Sequence, residues 1–195
     1  VKDGTGEPAP AAPKGGYKGE NADALIQLDR LAKKLRAARF KNGAVKFDRE
    51  ELHFDVDEKG RPLRCYFKRS KDANKLIEEF MLLANRTVAE SVGKVKKGMK
   101  PKTLPYRVHD NPDPQKLETL REFVVKFGYK MKTDGTKGAL ARSLNTLMSA
   151  CEGKREQNLI QTVALRAMMK AKYSIHNIGH FGLAFDYYTH FTSPI

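Results

Sequence analysis

The last seventeen residues hold the densest chemistry in the chain. Gly179-His180-Phe181-Gly182-Leu183-Ala184 and Tyr187-Tyr188-Thr189-His190-Phe191-Thr192-Ser193-Pro194-Ile195 set aromatic faces, hydroxyls and imidazoles side by side. Aromatic faces accept bases of any sequence, at roughly 1–3 kcal/mol per stacked base. Hydroxyls and imidazoles can donate to phosphate or to a ribose 2′-OH. A buried aromatic core is the competing explanation, evenly matched for any single ring. The density of polar neighbours tilts the segment as a whole toward a ligand surface.

Other motifs fail on their chemistry. Gly93–Gly98 has the spacing of a phosphate loop, but Met99 stands where the lysine must be. His176 and His180 lie four apart, yet no glutamate follows His176, and Ile178-Gly179 spoil the helix that a zinc protease needs. Ser193 lacks the spacing of a nucleophile elbow. Asp55 and Asp57 share one face of a strand and read as a solvated strand end entering a turn. Asp110 and Asp113 flank Asn111-Pro112 and read as helix caps. Glu78 and Glu79 share a helix with Lys75 and Arg86, where ion pairing suffices.

Charge narrows the partner. Among 195 residues, 37 Lys and Arg stand against 23 Asp and Glu, a net charge of +14. Such an excess costs self-repulsion and fits a polyanionic partner: nucleic acid first, with anionic lipid or an acidic protein also satisfying the arithmetic. No apolar run approaches the roughly 18–20 residues of a membrane helix, so no membrane association is expected. The polar N-terminus does not read as a signal peptide. Two cysteines, Cys65 and Cys151, make neither a disulfide framework nor a zinc site, and a reducing, cytoplasmic setting follows.

The elements that must position these groups alternate between two periods. Residues 1–20, with three prolines and five glycines, read as a flexible linker, leaving 21–195 as the folded portion. Leu25, Leu28, Leu31, Ala32 and Leu35 predict a helix that Asn42-Gly43 stops. Val45 and Phe47, then Leu52, Phe54 and Val56, then Leu63, Cys65 and Phe67 predict a three-stranded antiparallel meander over 44–68. Leu76, Phe80, Leu83, Ala84 and Val88 predict a long helix from Asp72 to Val95, fraying at Gly98. A short strand at Tyr106–His109, a helix over 115–127, and helices over 136–150 and 156–172 complete the reading, with an irregular tail from Ser174. The fold class is α+β: a short, mostly antiparallel sheet with several packed helices.

From Leu28 onward these segments resemble one family. HFTSPI, preceded by GHFGLAFDYYT, resembles the signature of the RNB exoribonucleases, the ribonuclease R and ribonuclease II family. LDRLAKKLRAARFKNGAVKFD, FDVDEKGRP, DANKLIEEFMLLANRTVAE, YRVHDNPDPQKLETLREFVVKFGY and ALRAMMKAKYS resemble, in turn, its leading helix and strand, hairpin, long helix, strand–turn–helix and final helix. The match is nearer to ribonuclease R. Where ribonuclease II has an aromatic base clamp after its Val-His motif, this chain has Pro112.

The resemblance implies a 3′→5′ exoribonuclease that threads single-stranded RNA into a channel and uses magnesium to release nucleoside 5′-monophosphates. The family's Asp-x5-Asp-x-Asp-Asp metal cluster is not found in this sequence, nor is the arginine pair that follows Ser-Pro-Ile. The chain is therefore expected to be a portion of the catalytic domain that binds no magnesium and is inactive alone. It would contribute channel wall through Asn85, Arg107, His109, His180, Tyr188, His190, Thr192 and Ser193. Apolar surface left uncovered would invite dimerisation. The alternative is a non-catalytic RNA-binding or scaffolding module with an RNB-like shell. A basic protein-interaction domain is the third reading.

Overall fold

The computed structural model describes residues 20–46, 51–68, 70–95, 98–100 and 102–192. Within them lie α1 (Ala22–Lys41), β1 (Glu51–Val56), β2 (Pro62–Lys68), α2 (Asp72–Gly93), β3 (Tyr106–Val108), α3 (Pro114–Val125), α4 (Lys137–Cys151), α5 (Gln157–Ala167), β4 (Lys172–Ser174) and a 3-10 turn at Phe181–Leu183. The α+β class is as expected. The strands, however, form two separate antiparallel pairs, β1–β2 and β3–β4. The chain divides into two units, one of residues 1–34 with 48–78, the other of residues 35–47 with 79–195.

In the first unit the β1–β2 hairpin is closed by Asp57, whose carboxylate accepts from the backbone N–H groups of Lys59 and Arg61, each at 2.9 Å. Leu52 pairs with Phe67 and Phe54 with Cys65, so period-2 alternation puts these four on one face up to a register shift after Asp55, beyond which lie Val56 and Leu63. Leu52, Phe54, Val56, Leu63 and Phe67 are 48–71% exposed. The leucine stripe of α1 forms as predicted, yet Leu25, Leu28 and Leu31 stay 40–45% exposed.

The second unit holds the core, built from α3, α4 and α5: Leu117, Leu120 and Val124 pack with Leu140, Leu144, Leu147, Cys151, Ile160, Ala164 and Phe181. Asp113 caps α3 by accepting from Gln115 N and Lys116 N, with Pro114 in the first turn where its missing N–H costs nothing. Thr136 caps α4.

Five expectations need correction. Ala44–Lys46 form no third strand. Instead the Asn145 side chain accepts from Lys46 N and donates to Ala44 O, while Val45 N donates to Gly182 O. Phe47 lies outside the described residues, as do residues 1–19 of the expected linker. Helix α5 stops at Ala167 rather than near 172, because Met168 turns extended and Lys172–Ser174 pair with β3. Helix α2 ends at Gly93, where a Cβ would stand 2.2 Å from the Tyr106 hydroxyl oxygen. The buried face of α2 is rotated from the predicted stripe and centres on Glu79, Leu82, Asn85 and Ala89. Glu79 is ion-paired with Arg39 and with Arg36 of α1, not with the lysine and arginine of its own helix.

Candidate nucleic-acid interface

The strand β3 is paired on both sides. Arg107 stands opposite Tyr173 of β4, while its backbone N–H donates to Tyr188 O at 2.9 Å and Tyr106 bridges Thr189. Alternation then sorts the side chains. Tyr106 and Thr189 face inward, 5% and 3% exposed, and the Thr189 hydroxyl donates to Pro105 O. Arg107, Tyr173, Tyr188 and His190 share the other face. There the Arg107 guanidinium lies over the Tyr173 ring, 4.8 Å from its centroid. The Tyr173 hydroxyl and His190 Nδ1 share a 2.8 Å hydrogen bond, and the His190 ring stands perpendicular to Tyr188. Tyr173 and His190 are exposed and Arg107 is half-buried. Partial burial, then the Arg107 charge, holds the His190 imidazole below its ordinary value, so it is neutral near pH 7. A cation on a ring face beside a neutral imidazole suits a phosphate or a stacked base.

Behind this face two histidines build the turn. His109 O accepts from Phe181 N at 2.8 Å and His109 N donates to Gly179 O at 3.0 Å. The Nδ1 atoms of His109 and His180 accept from Gly182 N and Leu183 N at 3.1 and 3.2 Å. A Cβ at Gly182 would meet His109 Nδ1 at 3.0 Å, so a larger residue there would require the imidazole to shift by a few tenths of an ångström. Ala184 takes up a left-handed conformation (φ 54°) to end the turn. Both rings must stay neutral to accept these bonds. Burial, then the neighbouring His109, pushes His180 down to about 3, and burial also lowers His109. His109 Nε2 is buried and lacks a hydrogen bond of good geometry.

Asn85 is fully buried, and its amide is spent on the protein. Nδ2 donates to Thr192 O (2.8 Å) and to the Tyr188 hydroxyl (3.3 Å), and Oδ1 accepts from Thr192 N (2.7 Å). The side chain thus pairs with Thr192 much as a neighbouring strand would.

Seven of the eight predicted site residues therefore gather in one region of the second unit, and Ser193 lies outside the described residues. Their roles divide. Arg107 and His190 reach the surface, whereas Asn85, His109 and His180 bond the backbone of the terminal segment, Tyr188 is buried with its hydroxyl accepting from Asn85, and Thr192 is held in turn. Sequence reasoning missed Tyr173, because it placed AKYS on a helix. It also passed over Phe191, which is 68% exposed, and Arg86, whose guanidinium lies over Phe185. A basic–aromatic pattern was the available signal for all three.

Residues 3–195 match the RNB domain. The chain belongs to the RNB family. It is 39% identical over 174 residues to ribonuclease R of Aquifex aeolicus and 34% identical over 171 residues to ribonuclease R of Escherichia coli, with 88% of this chain covered in each case. Ribonuclease R of Mycoplasma genitalium, in complex with ribose-methylated single-stranded RNA, shares its structure with a TM-score of 0.74 and 29% identity, covering 89% of this chain and 26% of that one. Yeast Ssd1, a pseudonuclease, has the same fold at 19% identity and a TM-score of 0.58, over 90% of this chain and 21% of its own. The chain spans 23% and 20% of the Aquifex and Escherichia relatives.

The described donors do not fit the magnesium that the resemblance to RNB exoribonucleases implies. Among the described residues no three His, Cys, Asp or Glu side chains gather as a metal ion requires. Among the same residues no helix is long and apolar enough to cross a membrane.

Proposed function

We propose that this chain is RNA-channel wall of a 3′→5′ exoribonuclease that hydrolyses single-stranded RNA to nucleoside 5′-monophosphates in the cytoplasm. The observation that carries the reading is the match to ribonuclease R along nearly the whole chain, with the basic–aromatic face of Arg107, Tyr173 and His190 formed by the segments that match. Residues 21–195 act as a portion of the catalytic domain, and magnesium is held by carboxylates outside it. Backbone phosphate is the target because a guanidinium and an imidazole read charge and not sequence.

The test is direct. A short fluorescent oligoadenylate should bind the purified chain, with affinity falling as salt rises because counterions are released. With magnesium added, the chain alone should release no mononucleotide. Absence of RNA binding at low salt would refute the reading and favour a protein-interaction domain, and steady release of mononucleotides would refute inactivity. The fold alone does not decide between nuclease and binding module, since a pseudonuclease shares it. Joining the chain to the remainder of the protein and assaying RNA decay discriminates them.

A further inference from the structure

The face built on β3 contains one side chain whose position orders the others. We infer that Tyr173 is its positioning residue: the hydroxyl sets the ring of His190 and the ring carries the Arg107 guanidinium, so that both donors are held together for one phosphate of an RNA backbone. The inference rests on the RNA-channel reading and names the group that organises the contact.

Three observations carry it. Tyr173 and Arg107 are directly opposed across the β3–β4 pair, so the stacking of guanidinium on ring is fixed by strand register. The Tyr173 hydroxyl is 2.8 Å from His190 Nδ1, and the His190 ring also packs perpendicular to the Tyr188 ring, 5.6 Å between centroids. Tyr173 is also 59% exposed, so its ring does not fill the core. A phenol donating to Nδ1 keeps the imidazole proton on Nε2, where it can donate to a phosphate oxygen. An exposed hydrogen bond between two side chains adds little to stability, whereas it fixes a donor that would otherwise rotate.

The experiment compares Tyr173→Phe, Tyr173→Leu, Arg107→Ala and His190→Ala in the purified chain, titrated with the same fluorescent oligoadenylate at low salt. The ring-nitrogen shifts of His190 are followed by NMR at pH 7. Tyr173→Phe keeps the shelf under Arg107 and removes the hydroxyl. It should weaken binding by roughly three- to tenfold and move His190 from one tautomer to a mixture. Tyr173→Leu should weaken binding further, since Arg107 loses its support. Arg107→Ala should weaken binding with the His190 tautomer unchanged. If Arg107→Ala and His190→Ala lose affinity while Tyr173→Phe binds like the parent chain with an unaltered His190 tautomer, the inference is overturned and the channel reading survives. If neither Arg107→Ala nor His190→Ala loses affinity, both fall.

Discussion

Replacing Asn85 tests how the terminal segment is held. Asn85→Ala removes three hydrogen bonds, two to the Thr192 backbone and one to the Tyr188 hydroxyl. At roughly 0.5–1.5 kcal/mol net each, the loss is about 2–4 kcal/mol, a sizeable part of the ~5–15 kcal/mol that stabilises a typical domain. Asn85→Asp sharpens the test. Its carboxyl keeps an acceptor for Thr192 N–H but, when charged, sets an anion in a fully buried site against the Thr192 carbonyl. Burial and that carbonyl raise the introduced carboxyl above the ~3.9 of free aspartate. The folded form then keeps a proton that the unfolded chain has lost. Relative to the parent chain, the variant should therefore lose least below about pH 4 and progressively more as pH rises through the raised value. Urea unfolding across that range, with hydrogen exchange at the Thr192 amide, reads both effects. The reasoning fails if Asn85→Ala costs under about 0.5 kcal/mol with Thr192 still protected, or if Asn85→Asp tracks the parent chain at every pH.

Three further outcomes are expected. His180 titrates at about 3 in the fold against the ~6.5 of a free imidazole, so it contributes stability above about pH 6.5 that is lost as pH falls toward 3. His180→Asn, which can still accept from Leu183 N, should flatten that acid limb in a series of thermal melts. Glu79→Gln removes the buried carboxylate that pairs with Arg39 and should cost about 3–5 kcal/mol by urea unfolding. The double change Arg39→Met/Glu79→Leu should cost less than that, and an equal or larger cost would count against charge burial as the cause. The apolar hairpin face should make the chain self-associate with rising concentration, measured by light scattering. Phe54→Lys with Phe67→Glu should return it to monomer, and unchanged association would point elsewhere.

Much of the helical framework was legible. The helix expected over 115–127 is α3 at Pro114–Val125, and Asp113, read as a cap, does cap it. The failures have physical causes. Alternation in Val45 and Phe47 imitated a strand, but the backbone of Ala44–Lys46 found its partner in the Asn145 side chain, about a hundred residues away, which no local period encodes. On α2 a hydropathy count turned the helix toward Leu83 and Phe80. The buried face in fact carries Glu79 and Asn85, two polar side chains that burial tolerates because their partners are supplied by other segments.

The candidate site shows the same division at finer grain. Motif positions singled out Asn85, His109 and His180, whose polar atoms bond the backbone of the terminal segment. A side chain fixed in this way is as sensitive to substitution as one that touches a ligand, so a motif cannot separate the two roles. Tyr173 illustrates the converse. It sits at no spacing that links it to Arg107, sixty-six residues earlier, and only the β3–β4 register brings the pair together. The surface groups proposed to meet RNA are thus placed by pairing between short strands, while the signature residues bond the terminal backbone beside them. Loss of RNA affinity on changing Asn85 or His180 should accordingly come with loss of Thr192 or Gly182 amide protection, whereas loss on changing Arg107 should leave both amides protected.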